Sequence, residues 1–174
     1  AVLLDKDLKV VKCVIDVADN KVNFSADGKA QTAEVFKTKY ELGDDYGMKA
    51  YGGAKKEWYE QADAFAKLVV GKTANEIKAL VAGENKGTDE VINAGCTIMI
   101  ADFVKAIDKA ISNATDSNAT ADDTLKLGIF TSQSGAKDAT AEAKGANGFE
   151  TSIAASVVDA DKKVVATKID CVAF

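Results

Sequence analysis

The side chains in this chain that could do acid–base or metal chemistry are carboxylates, lysines, tyrosines, hydroxyls and three cysteines. Histidine is absent, which removes the commonest general base and the commonest zinc ligand. Arginine is absent as well, because all 22 basic residues are lysine. A Ser–His–Asp site is therefore excluded, and an enzyme built on this sequence must use the remaining side chains or a cofactor.

The carboxylates form a few local groups, namely Asp5/Asp7, Asp159/Asp161 and Glu41/Asp44/Asp45. The two aspartate pairs could bind a cation across a turn, but Asp is common in turns because its side chain bonds the backbone there. The third group lacks the spacing and the terminal Glu of an EF-hand, which favours a solvated loop over a calcium site. A carboxylate-based hydrolase stays open as an alternative, since nothing in the sequence selects a catalytic pair.

The net charge of −5 and the lack of arginine disfavour nucleic-acid binding, which usually depends on Arg forks and a basic face. No run approaches the roughly 18 apolar residues of a membrane span, and we expect no transmembrane segment. The glycines do not have the spacing of a phosphate-binding loop of Walker or Rossmann type. The sequence begins with Ala1 inside a strand-like run, so we expect a processed or trimmed product.

A stretch near the start of the chain, Leu3–Val17, recurs near its end as Val157–Cys171. At a constant offset of 154 residues, Asp5 matches Asp159, Ile15 matches Ile169 and Asp16 matches Asp170. Each copy has an apolar run, an Asp-rich turn and a β-branched run, a pattern typical of a β-hairpin. The sequence therefore predicts similar hairpins at residues 1–24 and 149–174.

Helical patterns occupy the middle of the chain. Apolar residues at 3.6-residue spacing, including Trp58, predict a helix over 54–70 with Trp58 packed in the core. The capping box from Thr73 to Glu76 predicts a second helix to residue 81, and a third is expected to reach about residue 113. We expect a strand over 32–40, a surface loop over 41–48, a polar loop over 84–89, a strand over 124–132 and a loop or weak strand over 136–148.

These patterns predict an α+β fold, with an antiparallel sheet built from the two hairpins and a helical layer from residues 54–113. The hairpins are expected to share one sheet around a pseudo-twofold axis. Residues 112–123 are rich in Ser, Asn, Thr and Asp and are interpreted as a linker. A single domain is the main interpretation, and the alternative is two small domains, 1–112 and 124–174.

The three cysteines are Cys13, Cys96 and Cys171, and none belongs to a CxxC pair. Alternation along the hairpin strands places Cys13 and Cys171 on the apolar faces, which favours buried free thiols. A disulfide or a functional thiol is the alternative.

Two features together resemble the FMN-binding domain family of bacterial cell-surface and respiratory flavoproteins. That family has a strand–turn–strand written D-x-D-G-K-I-x-x-V-x-I, to which Asp5–Ile15 is similar, with Leu8 at the turn glycine. Asp159–Ile169 is similar again, with Lys162 at that position. The family also has S-G-A-T before a helix, and here Ala94-Gly-Cys-Thr97 precedes a helical pattern that contains Phe103–Ile111.

The resemblance implies a cofactor site at Gly95, Cys96 and Thr97, where Thr97 would be esterified by the phosphate of FMN. Free backbone N–H groups and the dipole at a helix N-terminus would favour that phosphate. Ala94, Cys96 and Met99 depart from the family pattern and weaken the attachment signal. The alternative role for Thr97 is the N-cap of the helix.

Two functional hypotheses follow. The first is an extracytoplasmic, bacterial FMN-binding domain that takes part in electron transfer. The second is a non-enzymatic cell-surface protein without cofactor that assembles into a homo-oligomer, filament or lattice through unpaired strand edges.

Overall fold

The computed structural model describes residues 1–33 and 35–174 and has an α+β fold, as the sequence predicts. Short 3-10 turns cover Gly43–Tyr46 and Gly83–Asn85. The helices and strands in chain order are β1 (Val2–Leu4), β2 (Val10–Cys13), α1 (Lys39–Leu42), α2 (Trp58–Leu68), α3 (Ala74–Lys78), α4 (Asp89–Ala94), α5 (Ala101–Ser112), β3 (Thr124–Lys137), β4 (Ala146–Val158) and β5 (Val164–Ala173).

The main hydrophobic core lies between the N-terminal hairpin β1–β2 and the helices. Helix α2 packs against β2, and helix α5 packs against β1. Phe65, Val69 and Ile100 are fully buried at the centre, and the rings of Trp58 and Phe103 make an edge-to-face contact at 5.8 Å. The prediction that Trp58 is a core residue is therefore confirmed.

Local capping signals fix the starts of several helices. Thr73 caps α3 and Glu76 bonds back to the Thr73 backbone, which confirms the predicted capping box. Helix α2 begins later than predicted, at Trp58, because Glu57 occupies its N-cap and forms a reciprocal bond with Glu60. Helix α2 ends shortly before Gly71, whose positive φ of 82° does not continue a right-handed helix.

The predicted strand over 32–40 is wrong, because residues 32–33 and 35–38 belong to no strand and residues 39–40 are helical; Glu34 lies outside the described residues. Thr38 instead forms a capping box with Glu41 and starts helix α1. The 41–48 loop is likewise a wrong prediction, because α1 and a 3-10 turn occupy most of it. Helix α4 occupies Asp89–Ala94, from the end of the predicted 84–89 loop into the stretch that leads to the third helix, where no separate helix was predicted.

The two hairpins do not share a sheet, so the single-sheet prediction is wrong. β1 and β2 form a two-stranded antiparallel sheet, whereas β3, β4 and β5 form a separate three-stranded antiparallel sheet with β4 in the centre. β3 and β4 are longer than the sequence predicts and pair from Thr124 with Val158 to Lys137 with Ala146. Residues 113–123 connect the helices to this second sheet without a helix or strand of their own.

The hairpins nevertheless have the same local geometry at the offset of 154 residues. Leu4 pairs with Val10 and Val158 with Val164, and a bulge interrupts each ladder at the same place. The fourth turn residue has a positive φ in both, 58° at Leu8 and 64° at Lys162. This is the position of the turn glycine in the FMN-binding pattern, and glycine adopts such a backbone without steric cost.

The cysteines differ in their environments. Cys96 is buried and Cys13 is half-buried, but Cys171 is exposed, so its predicted burial is wrong. The face of β5 that carries Cys171 has no helical layer over it, unlike the matching face of β2. Among residues 1–33 and 35–174, no helix has both the length and the apolar character to cross a bilayer.

Candidate functional site

The predicted cofactor residues Gly95–Thr97 lie in a tight connection between helices α4 and α5. Gly95 ends α4 with a left-handed backbone, φ 101°, and its N–H donates to the Ile92 carbonyl. The Cys96 N–H donates to the carbonyl of Val91 at 3.1 Å. These bonds make Gly95 the C-cap of a helix, so the connection is held from the α4 side.

The alternative role for Thr97, the N-cap of α5, is wrong. The N-cap position is Ile100, three residues later, and its side chain provides no capping bond. The side chain of Thr97 is exposed, and its hydroxyl donates to Oε1 of Gln61 at 2.9 Å. The Thr97 N–H donates to the same oxygen at 2.8 Å.

Gln61 is the residue of this site that the sequence prediction missed. Its side chain is buried, and its Nε2 donates to the carbonyl of Lys56 at 3.1 Å, so both ends of the amide are bonded. Gln61 therefore ties the start of α2 to the Gly95–Thr97 connection. A detectable signal existed, because a glutamine stands between Trp58 and Phe65 on the apolar stripe of α2.

The expectation of free backbone donors at this site is wrong for Gly95, Cys96 and Thr97, whose N–H groups all have protein partners. The Ile98 N–H faces the sulfur of Cys96. An incoming phosphate would have to break these bonds or use the first turn of α5 instead. The phosphate cradle that the resemblance implies is thus only partly present.

A positive charge lies beside the connection. The ammonium group of Lys56 folds over Gly95 so closely that a Cβ at Gly95 would overlap its Nζ. Within residues 1–33 and 35–174, no carboxylate is within salt-bridge distance of Lys56. The connection therefore combines an unpaired ammonium with the exposed hydroxyl of Thr97, two groups that can contact an anion.

The thiol of Cys96 is not an activated nucleophile. Burial raises the pKa of Cys96, and the nearby Ile98 N–H and Lys56 charge oppose this only in part. The protonated thiol is the form that a buried apolar site favours. Cys96 is fully buried and belongs to the hydrophobic core.

The carboxylate groups of the sequence serve the backbone. Oδ1 of Asp5 accepts from the Asp7 and Lys9 N–H groups, both at 2.9 Å, and Asp159 accepts from the Lys163 N–H at 2.8 Å. Buried Glu57, which the sequence prediction also missed as a polar core residue, accepts from the N–H groups of Met48 and Lys49. In the described part of the chain, no three His, Cys, Asp or Glu side chains converge to hold a metal ion.

Two open cavities lie elsewhere on the surface. One of about 490 Å³ is formed by Thr32, Ala33, Phe36 and residues 130–136, and the other, of about 520 Å³, is formed by residues within 72–80 and 88–90. Neither cavity is lined by the predicted cofactor residues Gly95–Thr97.

Comparison with known proteins identifies no relative of this chain. The chain is similar to no family model, no curated protein and no solved structure at a significant level.

Proposed function

We propose that this chain is a non-enzymatic assembly module that joins copies of itself through unpaired strand edges. The observation that carries the proposal is the difference between two equivalent strands. β4 pairs with β5 on one edge and with β3 on the other, whereas β1, which matches the end of β4, pairs with β2 alone among the described residues. The N-terminal sheet therefore lacks a strand that its own repeat possesses.

The edge of β1 that faces away from β2 has no backbone partner among the described residues. Ala1 and Val14 exchange both backbone hydrogen bonds. Because bonding alternates along an antiparallel pair, the N–H and carbonyl of Val2 point away from β2. Unpaired edges of this kind accept strands from other chains.

β3 provides a matching edge, since no backbone group on its outer side is paired among the described residues. Pairing β3 of one copy with β1 of the next is a heterologous contact, which builds a filament unless the rotation closes a ring. The placement of such an assembly on a bacterial cell surface follows from the resemblance to cell-surface proteins alone.

The test is the molar mass of the chain as a function of concentration, by sedimentation or light scattering, with filaments sought by electron microscopy. Val2→Pro removes the outward N–H without removing a bond to β2, and it should abolish association. Val2→Ala keeps that N–H and is the matched control that should still associate. A chain that stays monomeric at all concentrations overturns the proposal.

FMN binding is the second candidate function, and the ammonium of Lys56 over Gly95 is the observation that favours it. The phosphate would contact Lys56 and Thr97, and the flavin would supply the redox chemistry that these side chains cannot. The test is an absorption spectrum and an intact mass of protein from its native source. A flavin band with added mass that Thr97→Ala removes would support this candidate, and colourless protein that FMN does not turn yellow would exclude it.

A further inference from the structure

The two hairpins have one shape but different surroundings. In the N-terminal hairpin, one face belongs to the core or packs against it, through Val2, Leu4, Val10, Cys13, Ile15 and Val17. The residues at the offset of 154 are Ser156, Val158, Val164, Thr167, Ile169 and Cys171. Val10 is 1% exposed, whereas Val164 is 64% exposed and Ile169 is 74% exposed. The second hairpin therefore leaves open the face that the first one buries.

The outer edge of the hairpin shows the same difference. The Val10 N–H donates to the Lys72 carbonyl at 3.0 Å, and the Gly71 N–H donates to the Val10 carbonyl at 2.7 Å. Further along, the Lys39 N–H donates to the carbonyl of Val17 at 2.9 Å. The helical residues thus bond both ends of the edge of the first hairpin. No strand or backbone group among the described residues pairs with the outer edge of β5.

The missing cover cannot come from this chain's own helices. The helical unit Lys39–Ser112, which comprises α1 to α5, already buries its apolar side on the more apolar first hairpin.

We infer that the open face and outer edge of β4–β5 form a docking surface for a second helical unit of the Lys39–Ser112 kind, supplied by a further copy of the repeat. In the first hairpin α2 packs on β2 and α5 packs on β1. The docked unit accordingly places its α2 over β5 and its α5 over the end of β4. This contact does not use the edges of β1 and β3, so it stands or fails separately from the strand pairing proposed above.

The test appends residues 21–113 of the same sequence directly after Phe174, because Phe174 corresponds to Asn20 at the offset of 154. The readout is the rate at which Cys171 is alkylated, measured on its own peptide, in the original chain and in the extended chain. Cys171 is exposed in the original chain. Docking should slow its alkylation by roughly tenfold or more, since labelling then requires local opening.

Two variants make the result specific. Ile169→Lys should restore fast alkylation in the extended chain and leave the original chain unchanged, because the residue is exposed there. Phe65→Ala in the added copy alone should also restore it, and Val2→Pro should not. The inference is overturned if the added residues stay unfolded, or if they fold without slowing Cys171. Concentration-dependent protection of Cys171 in the original chain would also overturn it, since a second copy would then occupy the face.

Discussion

At the scale of single residues, Gln61 is the side chain whose loss should be most costly relative to its size. Gln61→Met preserves the shape but leaves the Thr97 N–H and the Lys56 carbonyl without their partner. Two part-buried groups would lose their partner, so the free energy of unfolding should fall by roughly 2 to 4 kcal/mol. Urea denaturation measures this change directly.

The matched control is Thr97→Val, which removes only the hydroxyl bond to Gln61 and should cost about 1 kcal/mol. If Gln61→Met costs no more than Thr97→Val, then Gln61 does not hold the connection between α4 and α5.

Cys13 makes the free energy of unfolding depend on pH in the alkaline range. Burial raises the pKa of the Cys13 thiol from 9.0 to about 11, against the opposing charge of the N-terminal ammonium. The unfolded chain therefore releases this proton at lower pH than the folded chain. The contribution of the protonated Cys13 thiol to the free energy of unfolding is complete below pH 9 and is lost as the pH rises through 11. The free energy of unfolding therefore falls by about 2 kcal/mol between pH 9 and pH 11.

Denaturation of the parent chain and Cys13→Val at pH 8, 9, 10 and 11 tests this prediction. The lysines and tyrosines titrate in both proteins, so only the difference between the two slopes reports on Cys13. Parallel curves would show that the thiol is not desolvated in the folded state.

The sequence indicated part of the candidate site, and physical reasons explain what it did not. The resemblance of Ala94-Gly-Cys-Thr97 to the S-G-A-T pattern before a helix directed attention to Gly95–Thr97. Its donors could not be predicted as occupied, because Gln61 reaches Thr97 from a helix 36 residues earlier. Contacts between residues so far apart in sequence depend on how helices pack, which local patterns do not encode.

At the scale of elements, the two hairpin turns contain a strain that substitution can remove. Leu8 and Lys162 have φ values of 58° and 64°, in the left-handed region that costs residues with a Cβ about 1 kcal/mol. Leu8 is 60% exposed and contributes little burial. Leu8→Gly should therefore raise the free energy of unfolding by roughly 0.5 to 1 kcal/mol.

Leu8→Ala is the control, since it removes the same side chain but keeps the Cβ, and it should not stabilise the chain. Thermal unfolding of both variants, together with Lys162→Gly and Lys162→Ala, measures the effect in each turn. Equal stability of the Gly and Ala variants would contradict the predicted backbone strain.

Elements with strong local signals were predictable, and those defined by distant contacts were not. Thr73 and Glu76 indicated α3, and the apolar stripe around Trp58 indicated α2. The capping box at Thr38 was hidden by a β-branched and aromatic run that resembles a strand. The assignment of the hairpins to separate sheets depends on which strand pairs with β4, and both hairpins have the same local pattern.

At the scale of the whole molecule, the described core lies in the N-terminal part. Every member of the main buried cluster falls between Val10 and Ile107, whereas β3–β5 bury only Leu125, Val157 and a pair of threonines. Besides the connection 113–123, the two parts meet where Phe36 contacts Phe149 and the Ala33 N–H donates to Gln133. Such a distribution allows the two parts to open with different free energies.

Phe65→Ala distinguishes a single cooperative domain from two units, 1–112 and 124–174. Phe65 is fully buried among the helices, and its truncation should cost roughly 3 to 5 kcal/mol. We expect hydrogen exchange to accelerate in β1, β2, α2 and α5 while β3–β5 keep their rates, because no member of the main cluster lies in those strands. Leu125→Ala is the reciprocal variant and should accelerate exchange in β3–β5 alone. If Phe65→Ala accelerates exchange by the same factor throughout the chain, contacts such as those of Ala33 and Phe36 couple both parts into one folding unit.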